Sequence, residues 1–204
     1  MGDSLSELTV DELLGQLAAP APAPAGGSAA ALVAAMAASL VEMIGRGSPS
    51  WPDGHAVAAQ ASELRARLIV LAAEDAQEVD RMLQQMRQSS TADQDEKRAG
   101  VFLDASKPPL AIAEAAAEIA ELAAEATTNG KRVMRADAVV AAVLARAAAE
   151  SALVVIQTNL HTIRGEAASA ERSMLLQQAR DSTARAAIAS RAASVSTDAT
   201  PRTT

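Results

Sequence analysis

Residues 24–46, PAGGSAAALVAAMAASLVEMIGR, decide the fold. Two adjacent glycines, Gly26 and Gly27, follow a proline-spaced segment and lead into Ser28, after which alanine fills most positions of an apolar run. Ser28 is a good N-cap and the glycines free the incoming backbone to turn sharply, so a helix is expected over 28–46. Side chains that are mostly methyl groups let neighbouring helices approach closely, which places this helix at the centre of a bundle. Its amino end then either offers a ring of free N–H groups to an anionic or strongly polar ligand group, or only starts a core helix.

The composition agrees with that centre. The 204 residues suit one domain, and half of them are apolar, yet the chain has one Phe, one Trp and no Tyr. A core of Ala, Leu, Val, Ile and Met favours helices over strands. The absence of cysteine excludes disulfides and thiolate chemistry. His55 and His161 lack metal-ligand spacing, so no metal is expected. The formal charge of −7, with no basic patch interleaved with aromatics, argues against nucleic acid as a partner. The first residues are acidic where a secretion signal is basic, and the alanine-dominated run is broken by Glu42 and read as the only one of its kind. No membrane partner is expected, and a cytoplasmic location is.

Outward from the central stretch, residues 6–18 read as a short amphipathic helix carrying Leu8, Leu13, Leu14 and Leu17, ended by the Pro- and Gly-rich 18–27. GSPSWPDG at 47–54 is a loop. From 53 to 89 a long helix follows, with Leu64, Leu68, Leu71, Asp75, Val79, Met82 and Met86 on one face. Asp75 is the exception on that apolar face. A carboxylate there needs a donor, a basic partner or a ligand, so it either caps another helix or belongs to a site.

Residues 89–98 break the helix, with Thr91 or Asp93 as caps for a helix over 94–106. Lys107, Pro108 and Pro109 then interrupt the chain before the next helix, and Asn129–Gly130 marks a turn. The helix over 136–163 places Asp137 and Asn159 on one alanine-lined face, about 33 Å apart if it is straight. They therefore serve opposite ends of an extended ligand, or one of them meets a site contributed by a second subunit. Asp137 also suits an ordinary first-turn position favoured by the helix dipole. A last helix is expected over 166–195 and a patternless, flexible tail over 196–204.

The expected architecture is one all-α domain over 1–195, an up-and-down bundle with an Ala-rich core. Several helices are apolar or small-sided on more than one face, which points to a homodimer. The nucleotide-binding, zinc-protease and hydrolase-elbow motifs are missing. What remains is polar residues presented by helices: Gly26, Gly27, Ser28, Asp75, Asn129, Asp137 and Asn159. That set suits electrostatic and acid–base work on a bound substrate better than covalent catalysis.

These residues resemble the motifs of the cyclodeaminase and cyclohydrolase family of folate enzymes over roughly 9–165. Pro22, Pro24, Gly26, Gly27 and Ser28 with the Ala-rich helix are similar to the family's proline-spaced, glycine-rich opening. LIVLAAEDAQ matches its aspartate-bearing helix at Asp75. Glu96, Lys97 and Arg98 before Pro109 and Leu110, Thr128 and Asn129, Ala136 and Asp137, and Asn159 and Leu160 resemble its later motifs. The chain departs from the pattern at Ala23, Ala25, Ala136 and Arg164, has GRGSPSW at 45–51 where the family carries lysines, and has MRQSST at 86–91 where it often has a proline-lysine pair.

The resemblance implies a helical homodimer with a cleft near the subunit interface, a tetrahydrofolate derivative as substrate and no permanently bound cofactor. It also implies methenyltetrahydrofolate cyclohydrolase or formiminotetrahydrofolate cyclodeaminase chemistry at the N5/N10 one-carbon bridge. In that reading Asp137 and Asp75 are catalytic, Asp137 moving a proton or stabilising cationic character and Asp75 holding the nitrogen-rich ring. Gly26, Gly27, Ser28, Asn129 and Asn159 bind substrate. The competing readings, resting on the missing lysines, are a helical homodimer that keeps the scaffold without catalysis and an enzyme of altered specificity using the same cleft.

Overall fold

The computed structural model describes residues 5, 7–88, 95–163 and 169–198. Among these residues the regular structure is entirely helical: α1 (Val10–Ala18), α2 (Gly26–Gly47), α3 (Gly54–Gln88), α4 (Asp95–Asp104), α5 (Lys107–Asn129), a 3-10 turn (Arg132–Met134), α6 (Arg135–His161) and α7 (Ser169–Asp198). The central position expected for the alanine-rich stretch is observed, with α2 packing on α3, α5 and α6.

Small side chains explain why so many helices meet α2. Ala31, Ala34, Ala37 and Ala38 are completely buried, facing alanines such as Ala116, Ala120, Ala141 and Ala145 in one continuous core. α2 and α3 run antiparallel along their length. Gly45 lies against Ala58 near one end, Glu42 is held between Arg46 and Arg65 at 2.6 and 3.1 Å, and Ser28 meets Asp75 at the other end. Trp51 turns the 47–54 loop into a plug of the core, and the Ser48 hydroxyl accepts the Lys131 N–H at 2.8 Å.

α3 is about 50 Å long and runs on past the amino end of α2. There Met82 and Met86 join a second apolar cluster with Phe102, Leu103, Ile156, Leu160 and Leu175. This layer closes the end of the bundle at which α2 begins. α5 and α6 are antiparallel neighbours, and a forked Arg185–Glu121 pair at 2.8 and 2.9 Å ties α7 to α5.

Several boundaries differ from the sequence reading for local physical reasons. α1 starts at Val10 because Thr9 and Glu12 form a capping box, and its apolar side contributes no buried residue. α2 starts at Gly26 with Ala25 at the N-cap, so Ser28 is the third helical residue and its hydroxyl does not cap its own helix. Pro108 and Pro109 sit in the first turn of α5, where a missing N–H costs nothing, and so begin the helix instead of interrupting the chain. α7 continues to Asp198, beyond the expected boundary at 195. Thr91 and Asp93, expected as caps, lie outside the described residues.

The run after Ser28 is also not the only long apolar helix: α2 and the segment Arg132–His161 both have the length and mean hydropathy, 1.7 and 2.0, of a bilayer-crossing helix. Buried core helices have the same composition.

The Gly45 crossing yields a stability prediction. A Cβ at Gly45 meets Ala58 Cβ at 3.0 Å and Ala58 N at 3.1 Å, whereas a Cβ at Gly100 in α4 meets nothing within 4 Å. Urea unfolding is expected to show Gly45→Ala destabilised by about 1–3 kcal/mol, as overpacking forces two helices apart. Gly100→Ala is expected to be neutral or slightly stabilising.

Candidate functional site

The amino end of α2 is where the polar residues converge. Asp75 is 3% exposed on α3, and its Oδ2 accepts the Ser28 hydroxyl at 3.0 Å while its carboxylate also takes the Ser28 backbone N–H. Gly27 is the reason the two helices can close to this distance. A Cβ there would stand 2.6 Å from Asp75 Oδ2 and 2.5 Å from Asp75 Cγ, so any other residue displaces the carboxylate. Asp75 therefore caps another helix and also belongs to a cavity, joining the two alternatives read from its place on an apolar face.

That cavity has a volume of about 200 Å³. Gly26 and Gly27 form one side of it, Asp75, Val79 and Met82 of α3 another, and Val154, Val155, Thr158 and Asn159 of α6 a third, with Ala105 at the α4–α5 corner. The Asn159 amide nitrogen donates to the Ala105 carbonyl at 3.1 Å, which leaves its Oδ1 as the acceptor offered to the cavity. Burial raises the Asp75 pKa, and the two Ser28 hydrogen bonds oppose the shift without cancelling it. The result is a buried carboxyl group with a raised pKa beside an amide acceptor and the amino end of a helix.

Beyond Met82, which lines both spaces, lies a wider groove of about 810 Å³ between α3 and the start of α5. Its charged residues are of both signs: Arg67, Glu74, Glu78 and Arg81 from α3, Asp104 and Lys107 from the corner. Lys107 pairs with Asp104 at 2.6 Å and Arg81 pairs with Glu78.

Of the residues singled out from sequence, one protomer gathers Gly26, Gly27, Asp75 and Asn159. Ser28 is completely buried behind Asp75 and does not line the cavity. Asn129 is exposed at the end of α5, and Asp137 is half-buried in the first turn of α6. Both lie near the far end of α2, where Gly130 approaches Ile44 and Met134 approaches Gly47. α6 is unbroken from Arg135 to His161, so the separation expected between Asp137 and Asn159 stands within a protomer. Val79 and Met82 were legible as site residues, being one and two turns from Asp75 on its own face. The Ala105 carbonyl carries no sequence signal.

A buried acid thus stands at a helix amino end, in a cavity between three helices and a corner of an all-helical domain. The chain belongs to the formiminotransferase-cyclodeaminase family, whose profile matches residues 9–178. Among solved structures, its fold is similar to that of formiminotetrahydrofolate cyclodeaminase from Thermotoga maritima. The TM-score is 0.85 at 19% identity, over 95% of this chain and 98% of that chain. No sequence match is found among curated proteins.

Two substitution pairs probe this corner. Gly26→Ala brings its Cβ only to 3.9 Å from Val155 Cγ2 and is expected to be tolerated, whereas Gly27→Ala is expected to lower the urea midpoint and abolish ligand binding at the cavity.

For Asp75 the raised pKa means its contribution to stability is greatest below the ordinary aspartate value and is lost as pH rises through the raised one. Asp75→Asn keeps an acceptor for Ser28 and is expected to flatten that loss in pH-dependent unfolding. Asp75→Ala leaves the buried Ser28 hydroxyl without its acceptor and is expected to cost about 1–3 kcal/mol, more at low pH than above the raised pKa.

Proposed function

We propose that this protein is a one-carbon folate enzyme of the cyclodeaminase type, acting on the bridge between N5 and N10 of a tetrahydrofolate derivative. The observation that carries the reading is Asp75, a carboxyl group buried at the wall of a ring-sized cavity, its pKa raised by that burial. The family membership supplies the substrate class.

In this reaction N10 attacks the formimino carbon on N5, giving a tetrahedral carbon bonded to three nitrogens. N10 gives up its proton and the former imine nitrogen takes up two, one matching the proton lost from N10 and one from the acid, so that ammonia leaves as the cationic amidinium bridge forms. Protonating the leaving nitrogen is the role for which a carboxyl with a raised pKa is fitted. Asn159 Oδ1 accepts an N–H of the ring, and the free N–H groups at Gly26 and Gly27 face the ring's carbonyl or the solvent.

Water attack on the methenyl bridge, the cyclohydrolase reaction, passes through a similar tetrahedral carbon but first asks for a base. The cyclodeaminase direction instead asks for a proton on the leaving nitrogen, which a carboxyl whose pKa is raised by burial is fitted to supply. A cavity of about 200 Å³ suits the bicyclic ring and its bridge, and the groove beyond Met82 is the space open to the rest of the molecule. A homodimer in the cytoplasm is the setting this reading implies.

Steady-state assays with formimino- and methenyltetrahydrofolate test it. Turnover of the formimino substrate is expected, with kcat reduced about 10²–10⁴-fold in Asp75→Asn. Absence of turnover with both substrates, together with no tetrahydrofolate binding by calorimetry, would leave a scaffold without the reaction.

A further inference from the structure

The groove beyond Met82 is wider than the ring cavity, about 810 against 200 Å³, and it holds the charge that the cavity lacks. Arg67, Arg81 and Lys107 stand there with Glu74, Glu78 and Asp104, so the described lining is neutral as a whole. A polyanion or a polycation meets no net field that would draw it in. A short ligand that carries carboxylates beside an amide N–H meets partners of both kinds. Leu71, Met82, Pro108 and Ala111 add an apolar wall against which an aromatic ring can lie.

Two of the three cations are linked through one carboxylate. Arg81 pairs with Glu78. Lys107 is bonded to Asp104 at 2.6 Å, and its pKa is raised by Asp104 first and then, at longer range, by Glu171 and Glu78. Glu78 therefore stands where both cations act on it, which is the place a ligand carboxylate would be recognised. Arg81, Lys107 and Asp104 are each more than half exposed, and ion pairs this exposed exchange partners at little cost. The guanidinium also has donors enough to keep one carboxylate while it takes another.

We propose that Arg81 and Lys107 form the subsite for the acylated glutamate at the far end of the substrate, and that Glu78 occupies this subsite as an internal stand-in while the groove is empty. The assignment rests on the folate reading, which sets the reacting bridge at Asp75. The glutamate is the one part of that substrate that carries carboxylates, and an amide N–H joins it to the benzoyl ring.

The lengths agree. Met82 lines both spaces and precedes no more than one turn of groove wall, so the substrate passes over it and lays its benzoyl ring on the thioether, a favourable sulfur–aromatic contact. By standard bond lengths the two glutamate carboxylates lie about 9 and 12 Å from N10. Arg81 follows Asp75 by six residues, about 9 Å along α3. Arg67, the third cation, is fifteen residues from Met82, about 22 Å back along the helix, and lies beyond the reach of a single glutamate that enters over Met82. Contacts so far from the reacting bridge are the same in the ground state and the transition state, so they act on KM and not on kcat.

Substrates with and without the glutamate isolate the subsite from any structural role of the same side chains. 5-Formiminotetrahydrofolate is compared with the 5-formiminotetrahydropteroyl amide, which ends at the benzamide. In the wild type the amide is expected to have a KM about 10–100-fold higher, with a similar kcat. In Arg81→Gln and in Lys107→Gln the ratio of the two KM values is expected to fall about tenfold toward one. Glu78→Gln removes the stand-in and is expected to lower the KM of the folate severalfold, a gain that loss of a merely structural pair does not give. Equal KM values for the two substrates in the wild type, an unchanged ratio in the Arg81 and Lys107 variants, or a folate KM raised in Glu78→Gln overturns the subsite while leaving the reaction in place.

Turnover of neither substrate removes the folate reaction instead, and calorimetry with p-aminobenzoylglutamate alone then decides the subsite. Binding at millimolar concentration that is lost in the Arg81→Gln/Lys107→Gln chain sustains it. Absence of binding to the wild type, or equal binding to both chains, overturns it.

Discussion

The contact between Asp75 and the first turn of α2 is the constraint on which the rest of the structure depends. It couples α2 and α3 at the end away from their connecting loop, fixing their register over the whole distance from Gly45 to Ser28. It also satisfies two buried donors with one carboxylate, which is why a charged residue is tolerated on an otherwise apolar face. The interaction requires the absence of a side chain at Gly27. A bare backbone position on one helix and an acid on the other are two halves of one device.

The same contact makes the acid chemically useful. A carboxyl fully enclosed by donors would be locked ionised, and one fully exposed would have an ordinary pKa. Asp75 is neither: two hydrogen bonds hold its position, while desolvation outweighs them and raises its pKa. Its neighbours complete the cavity without adding charge. Val79, Met82, Val154 and Val155 are apolar, and Asn159 is oriented by a backbone carbonyl.

The helices that build this corner use alanine for opposite purposes on their two sides. Inward, methyl groups let α2, α5 and α6 pack at close range and bring α3 and α6 to the two sides of the cavity. Outward, α6 keeps valines at the surface, so its apolar character exceeds what one protomer buries. An all-α core with few large side chains gains its stability from many short contacts, and its unburied faces are correspondingly wide.

Much of the architecture was legible in the chain because helix periodicity and breakers are local properties. The Ala-rich α2, the face of α3 carrying Asp75 and the long α6 all follow from spacing within a few turns. Boundaries were less legible where a local signal had two meanings: Ser28 looks like a cap but sits a turn inside the helix, and Pro108 and Pro109 look like breakers but start α5.

Sequence alone also identified the polar residues from which a site had to be drawn, and the helix rise already separated Asp137 from Asn159. Only the tertiary structure decided which of them meet, because that depends on the antiparallel register of α2 and α3 and on how the α4–α5 corner is set against α6. The Gly26–Gly27 pair, Asp75 and Asn159 are far apart along the chain and become neighbours through packing; Asn129 at the end of α5 and Asp137 in the first turn of α6, equally plausible by residue type, lie at the opposite end.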